Sequence, residues 1–486
     1  GMNLLCCLGG VVAGMLVGVL PGLGPTAGTA LLLPLTFGME PVESIVLLSG
    51  IYYGAMYGGT ITSVLINTPG EAASVITCMD GYPMAKQGRA GQALGVAAIG
   101  SFIGGIISLI GLLILGPSLA SQALKFGPPE FFCLMLMGLT LVIGLLGKSL
   151  VKGLIVAFFG LTLSLIGIDP SVGTVRFAMG SDYLMNGIDF VSIAMGMFGL
   201  VEIFSNLEGD LKEKKTLPEI KGLIPEREEW GPAMAAIMRG SFLGFFIGLI
   251  PGTNSIIPAV MSYSIEKKLS KHPERFGQGA IEGVAGPETA NNSYCGGAMI
   301  PLFTLGIPTS SVMAVLVGAF VMHGLTPGPR LFSEQPLLVW TVIGSMFIGN
   351  AILLFLNLPL ANLWAKVTLV PNRVLFPIIT IIALLGVYGL NNAMFDVQCM
   401  IIFGLVGYIM KKADFPLAPL LLTFILGDQM EYTLVQSMTI FRGDATQFLR
   451  RPICAVLLAV IVIVLIVSVL SASKRKEVLG TEESEI

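Results

Sequence analysis

Four short stretches carry the residues that could do chemistry: Pro21-Gly22-Leu23-Gly24-Pro25-Thr26, Asn67-Thr68-Pro69-Gly70-Glu71, Pro251-Gly252-Thr253-Asn254-Ser255 and Gly306-Ile307-Pro308-Thr309-Ser310-Ser311. Each breaks an apolar run with proline and glycine, after which a helical pattern resumes. A helix that restarts after such a break presents free N–H groups and the positive end of its dipole, a combination that favours an anion. Gly22, Gly24 and Gly70 would let a ligand approach the backbone. Asn67, Thr26, Thr68, Thr253, Asn254, Ser255, Thr309, Ser310 and Ser311 add amide and hydroxyl groups suited to carboxylates. None of the four stretches holds Lys or Arg, so a carboxylate would be held by backbone dipoles and small polar groups, with a bound cation offsetting its charge. The competing reading is that these prolines and glycines only kink helices for packing.

A coupling ion, sodium or proton, would need a membrane carboxylate or amide. Glu71, Glu288, Asn291 and Asn292 are the candidates. Thr68-Pro69-Gly70-Glu71 also fits a capping box with proline at the first helical position, which would make Glu71 structural and a competitor of an anion there. The stretch 287–297 (PETANNSYCGG) either lines the solute path, holds a coupling ion, or starts a helix near the membrane surface. Asp169, Asp182 and Asp189 read as solvated loop residues. His272 and His323 lie far apart, and the seven cysteines show no CxxC or metal spacing. No cofactor, and no metal beyond a coupling sodium, is expected. An intramembrane lipid-modifying enzyme would need a reactive constellation such as HExxH or a Ser/His pair, and none stands at a convincing spacing. A passive anion channel stays open as an alternative.

The elements that must position these stretches are membrane helices. Of 486 residues, 54% are hydrophobic and 12% charged, and apolar runs of helical length recur. The chain reads as an all-α polytopic membrane protein of about 10 spans plus two re-entrant hairpins. The hairpins fall at roughly 3–37 and 236–266, with their tips at the first and third stretches. The other two stretches interrupt the crossing helix that follows each hairpin. Gly18–Gly22 matches Gly248–Gly252, Gly100-Ser101 matches Gly344-Ser345, and Phe158–Leu161 matches Ile402–Leu405. Lys and Arg switch sides between matched loops, which predicts inverted-topology repeats. The first repeat spans 1–205, a cytoplasmic charged linker 206–231, the second repeat 232–471 and a polar tail 472–486. The residues 79–95 read as a basic cytoplasmic loop that fixes topology or serves gating. The exceptions to the basic-inside pattern are Lys125, Arg176, Arg330, Lys474, Arg475 and Lys476, and 413–451 must begin and end on the same side. Gly1-Met2 reads as a tag remnant before a start methionine, and the apolar run after it lacks the basic region of a cleaved signal peptide.

Taken together, GVLPGLGPTAGTALLLPLTF, INTPGEAASV, DGYPMAKQGRAGQALG, RFAMGSDYLMNGIDFVSIAMGMFGLVEI and FGQGAIEGVAGPETANNSYCGGAMIPLFTLGIPTSSVMAVLVGA resemble the large membrane subunit of the tripartite tricarboxylate transporters. The resemblance covers nearly the whole chain. It implies a multi-pass protein of the bacterial inner membrane that imports small carboxylates on a proton or sodium gradient. It implies two partners, a small integral membrane subunit and a periplasmic solute-binding protein. The second hairpin reads PGTNS where the first reads PGLGPT, and the N-terminus is short against the family pattern. The solute itself does not carry over.

Overall fold

The computed structural model describes residues 1–20, 23–146, 149–169, 173–207, 220–368, 370 and 372–466. Gly22, residues 208–219 of the linker and the tail 472–486 therefore lie outside the described residues. The described chain is almost wholly helical; its strands, Gly167–Ile168 and Val175–Arg176, form a two-residue antiparallel pair. Five helices are long and apolar enough to cross a membrane, and six shorter apolar ones accompany them. This is a multi-pass, all-α membrane protein.

The chain opens with α1 (Met2–Val19), turns, and returns antiparallel through α2 (Gly24–Leu32) and a 3₁₀ turn at Leu33–Thr36. Next, α3 (Pro41–Ile66) runs alongside α1 in the same direction, with Gly10, Gly14 and Gly18 set against Leu47, Gly54 and Gly58. Small residues let two membrane helices approach to backbone contact. Asn67 takes a left-handed conformation (φ 51°) that ends α3, and α4 (Ser74–Lys86) resumes after the break. Then follow α5 (Ala90–Ala123), α6 (Pro128–Leu146) and α7 (Leu150–Ser164). A rod designated α8 joins Phe190–Ala194, a π-helical stretch Met195–Leu200 and Val201–Leu207.

The hairpin recurs as α9 (Trp230–Gly248) and α10 (Ile256–Leu269). It packs on α11 (Glu282–Leu305), with Gly240, Gly244 and Gly248 on Gly286, Ala290 and Tyr294. Gly306 (φ 71°) ends α11, and α12 (Ser311–Met322) resumes after the second break. The chain continues through α13 (Pro336–Asn357), α14 (Asn372–Asn391), α15 (Met394–Lys412), α16 (Ala418–Ile440) and α17 (Pro452–Ile466).

Three tertiary contacts define one face. Gln87 Nε2 donates to the Gln278 carbonyl at 2.7 Å, Arg89 pairs with Glu229, and Lys152 Nζ donates to the Ala413 carbonyl at 2.6 Å. The first two join the loops after α4, before α9 and after α10. Two crossings, α5 and α6, bring Lys152 back to the same face. It is called the basic face below. The first hairpin begins and ends at the opposite face, and the second begins and ends at the basic one.

Several expectations need correction. The stretch 79–95 is not a loop: α4 runs to Lys86 and α5 starts at Ala90, leaving Gln87–Arg89 as the turn. Its Asp80 is fully buried, and Oδ1 accepts from the N–H groups of Gly277, Gly279 and Ala280, each at 2.8 Å. That bond set staples α4 to the start of α11. The segment 413–451 does not begin and end on one side. Ala413 meets Lys152 at the basic face, whereas Arg451 Nη1 donates to Glu130 Oε1 at 2.6 Å, at the far end of α6. The intervening α16 is one continuous helix between them, and its Gly427 meets Ser164 on α7 along the way. Charge counting failed because Arg442, Arg450 and Arg451 sit at the opposite face, Arg451 held by Glu130. Asp169 is buried rather than solvated and pairs with Arg176 at 3.2 Å. Asp189 caps α8, accepting from Ser192 N at 3.0 Å, while Asp182 is exposed as expected.

The close packing is testable. A Cβ at Gly244 would overlap the carbonyl oxygen of Ala290, while one at Gly231 meets nothing within 4 Å. Gly244→Ala is expected to cost about 2–3 kcal/mol of stability, the upper part of the overpacking range, and Gly231→Ala close to none. Thermal unfolding midpoints of the purified variants in detergent check this.

Candidate functional site

The four interruptions meet. A cavity of about 490 Å³ is lined by residues of the first hairpin tip (Leu23, Gly24, Pro25, Thr26, Ala27), the first break (Pro69 to Ala72), the second hairpin tip (Asn254, Ser255) and the second break (Ser310, Ser311). Met56, Val75, Phe198, Glu202, Tyr294 and Val312 complete the wall. The N-termini of α2, α4, α10 and α12 all open onto it. Each such end carries about half an elementary positive charge in unpaired N–H groups. Among the described residues of the lining there is no Lys, Arg or His.

Of the residues the sequence singled out, Gly24, Thr26, Gly70, Asn254, Ser255, Ser310 and Ser311 come together at this cavity. Asn67, Thr68, Thr253 and Thr309 do not line the cavity. Asn67 closes α3, and the Thr68 hydroxyl donates back to the Ile66 carbonyl at 3.1 Å. Thr253 and Thr309 are buried behind the wall, where the Tyr294 hydroxyl donates to the Thr253 carbonyl at 3.0 Å. Tyr294 thus links the second hairpin tip to α11 and faces the cavity, a residue the sequence reading passed over within its own motif. Gly70 has a second reason to be glycine: a Cβ there would overlap the Gly18 carbonyl and crowd Gly59. Asn254 Oδ1 is buried with no hydrogen-bond partner among the described residues.

The first break is capped differently from the expected box. Thr68 does not cap, and α4 starts only at Ser74. Glu71 itself folds onto the helix end, accepting from Ala73 N at 2.8 Å, Ser74 N at 2.9 Å and Ser74 Oγ at 2.8 Å. A carboxylate satisfies several orphan amides at once, which the short Thr68 side chain, turned back on α3, does not do. So the α4 N-terminus is already occupied by an acidic group, and the remaining three N-termini face the cavity without a carboxylate of their own.

A polar layer lies behind this cap. Asn291 Nδ2 donates to Glu71 Oε1 at 2.9 Å. Glu288, about 1% exposed, accepts from Thr60 Oγ1 of α3 at 2.7 Å and from the Thr77 hydroxyl of α4. Asn292 Nδ2 donates to Ser101 Oγ at 2.8 Å. The Oδ1 atoms of Asn291 and Asn292 are buried without a partner among the described residues. The stretch 287–297 is therefore the buried middle of α11 rather than a helix start, and Glu288 bridges both sides of the first break. No group of three or more His, Cys, Asp or Glu that could hold a metal stands among the described residues.

Two further lining residues, Phe198 and Glu202, come from α8. Glu202 had a legible signal, an ionisable side chain inside an apolar helical run. It pairs with Lys411 Nζ at 2.9 Å.

The comparisons with known proteins agree with this architecture. Residues 4–422 match the model of the tripartite tricarboxylate transporter TctA family. A protein of Agrobacterium vitis, described as an uncharacterized 52.8 kDa protein in the TAR-I ttuC' 3' region, is 48% identical over 484 residues, 99% of this chain and 96% of the relative. Another from the same organism, described as an uncharacterized protein in the TAR-II ttuC' 3' region, is 48% identical over 237 residues, 48% of this chain and 98% of the relative. No solved structure matches. Broken helices around a shared cavity and a family match across most of the sequence lead to one conclusion: the chain belongs to the tripartite tricarboxylate transporter TctA family and is a membrane subunit of such a transporter.

Proposed function

We propose that this subunit forms the translocation path of an importer for small di- or tricarboxylates, driven by a sodium or proton gradient across a bacterial inner membrane. It receives its solute from a periplasmic binding protein and works beside a small integral membrane subunit. The observation that carries the reading is the convergence of four helix N-termini on a cavity free of basic side chains among its described residues. Three helix ends without a carboxylate of their own, with Thr26, Asn254, Ser255, Ser310 and Ser311 beside them, supply donors for two or three carboxylates. Gly24 and Gly70 keep the backbone close. Gly22 belongs to the same tip by sequence.

Two inverted repeats, 1–205 and 232–471, joined by a cytoplasmic linker 206–231 and followed by the tail 472–486, account for the paired units running from opposite faces. The cavity is asymmetric in a way that favours alternating access over a passive channel. Towards the opposite face, α2 packs on α12, and Val312–Phe320 are all buried. Towards the basic face, Ala72 before α4 and Val75 and Met79 on α4 are exposed. With the basic face cytoplasmic, this is an inward-open state. Glu71, Glu288, Asn291 and Asn292 form the coupling-ion region behind the first break.

The deciding experiment is uptake by vesicles holding the complete three-part complex, with a carboxylate panel under separate sodium and proton gradients. Accumulation against a gradient, abolished by the matching ionophore, is expected; equilibration without accumulation would favour a channel. Pro69→Ala and Pro308→Ala are expected to lower uptake several-fold at near-normal expression, because each loosens a break that aims a helix end. Normal uptake by both would detach the breaks from the site.

A further inference from the structure

We propose that a dehydrated sodium ion binds in a second, small cavity between α3, α5, α11 and α13, with the Asn292 side-chain oxygen as its central ligand. The coupling role of that ion rests on the gradient-driven reading above, whereas the ion site itself rests on the chemistry of this cavity.

The cavity measures about 20 Å³, and its polar lining is Tyr53 and Tyr57 of α3, Ser108 of α5, Asn292 and Cys295 of α11, and Asn350 of α13. All six residues are buried. A space of that size takes one water or one bare cation. The direction of the hydrogens decides between them. Asn292 Nδ2 donates to Ser101 Oγ at 2.8 Å and to the Glu288 carbonyl at 3.1 Å. That carbonyl can only accept, so the amide cannot turn over. Asn292 Oδ1 is left buried with no partner among the described residues. Asn350 Nδ2 donates to the Phe102 carbonyl at 2.9 Å, and its Oδ1 accepts from the Tyr57 hydroxyl. The Ser108 hydroxyl donates to the Gly105 carbonyl at 2.9 Å, the Tyr53 hydroxyl to the Ser345 carbonyl at 3.4 Å, and the Cys295 thiol to the Asn291 carbonyl at 3.5 Å. Each hydroxyl and thiol hydrogen thus goes to a protein acceptor, and these groups have lone pairs left to offer.

A water here could donate to two of the oxygens, but its own lone pairs would then meet further acceptors. A hard cation is matched by all of them at once. A compensating charge is at hand, because the Glu288 carboxylate lies within electrostatic range of the Tyr57 hydroxyl. The small volume favours sodium over the larger potassium ion. The position links the ion to the solute. Met56 and Tyr294 line the large cavity, while their neighbours on the same two helices, Tyr53, Tyr57, Asn292 and Cys295, line the small one. An ion there joins α3 to α11, whose ends are the two breaks. Sodium and carboxylate should therefore tighten each other's binding by the same factor.

Equilibrium binding of radiolabelled sodium to the purified full chain, with potassium and choline as competitors, tests the site. Saturable binding of about one ion per chain, resistant to potassium, is expected. Tyr57→Phe and Ser108→Ala each remove one oxygen with little change of shape, and each should weaken sodium binding about tenfold. Asn292→Ala should lose it altogether. Unfolding midpoints measured in choline separate a lost ligand from a lost fold. No sodium binding by the parent would mean that the cavity holds water, which overturns the proposal. Parent-level affinity in all three variants, or losses that only follow lower midpoints in choline, would overturn it as well. Labelled citrate, measured on the same samples, keeps the two readings apart. Citrate binding without sodium binding leaves the carboxylate reading intact and removes this site. Sodium binding without citrate binding does the reverse.

Discussion

Glu288→Gln is expected to reduce gradient-driven accumulation of carboxylate more than tenfold while exchange of labelled for unlabelled solute continues; that factor is reached once about 1.4 kcal/mol of driving force is lost. The argument starts from cost. An ionisable group held in the middle of a buried membrane helix is expensive, and such groups mark ion or proton pathways. Glu288 accepts hydroxyl protons from Thr60 and Thr77, on the two sides of the first break. Its carbonyl accepts from Asn292, and the buried oxygens of Asn291 and Asn292, along the same helix, have no partner among the described residues. A carboxylate with spare oxygen ligands around it suits a cation or a proton, and occupancy there would change how firmly α3 and α4 are joined. Gln keeps the shape, and its amide can donate to one threonine hydroxyl while its carbonyl accepts from the other, so the helices stay joined. The charge that would take up the ion is gone. Each elementary charge moved across 100 mV is worth about 2.3 kcal/mol, and a chain unable to carry that charge loses this drive. Vesicle assays with an imposed gradient, run beside equilibrium exchange, separate the two quantities. Accumulation at the parent level would remove Glu288 from coupling. Loss of both accumulation and exchange at normal expression would assign it to solute handling.

Much of this arrangement was legible before any coordinates. The breaks were legible because proline and glycine inside an apolar run have few explanations at membrane depth. The residues immediately following a break, Gly24, Thr26, Ser310 and Ser311, do line the cavity, because helix ends dictate where free amides point. Those preceding one do not line it: Asn67 and Thr68 serve the outgoing end of α3, whose left-handed closure no spacing rule separates from a cap. Glu71 illustrates the same limit. Its role as a cap was readable, but the sequence suggested a partnership with Thr68, and the chain instead used the longer carboxylate alone. Tyr294 and Phe198 escaped notice because an aromatic residue in a membrane helix looks the same whether it faces lipid, core or cavity. The direction of α16 was misread because three arginines, Arg442, Arg450 and Arg451, were counted as marking the basic face, and α16 is not apolar enough to stand out as a span. One of them is neutralised by Glu130, a partner 321 residues away.

The proposed inward-open state makes the second large prediction. In a Cys78→Ser background, Asn254→Cys is expected to react with a membrane-impermeant maleimide faster in inside-out than in right-side-out vesicles. The ratio should be roughly tenfold or more, as follows when about nine molecules in ten rest open to one face. The background is needed because Cys78 is partly exposed, whereas the other six cysteines are buried. Asn254 is chosen because it lines the cavity at the second hairpin tip, and neither a cap nor a glycine contact is lost by changing it. Access from the opposite face would require α2 to part from α12, whose residues from Val312 to Phe320 are buried. Access from the basic face follows the exposed side of α4 past Val75 and Met79. Saturating citrate should slow the reaction from the basic face, because solute and reagent would share the same space. Labelling at equal rates from both faces would mean an open pore and would defeat alternating access. Faster labelling from the opposite face would reverse the assignment of the basic face to the cytoplasm.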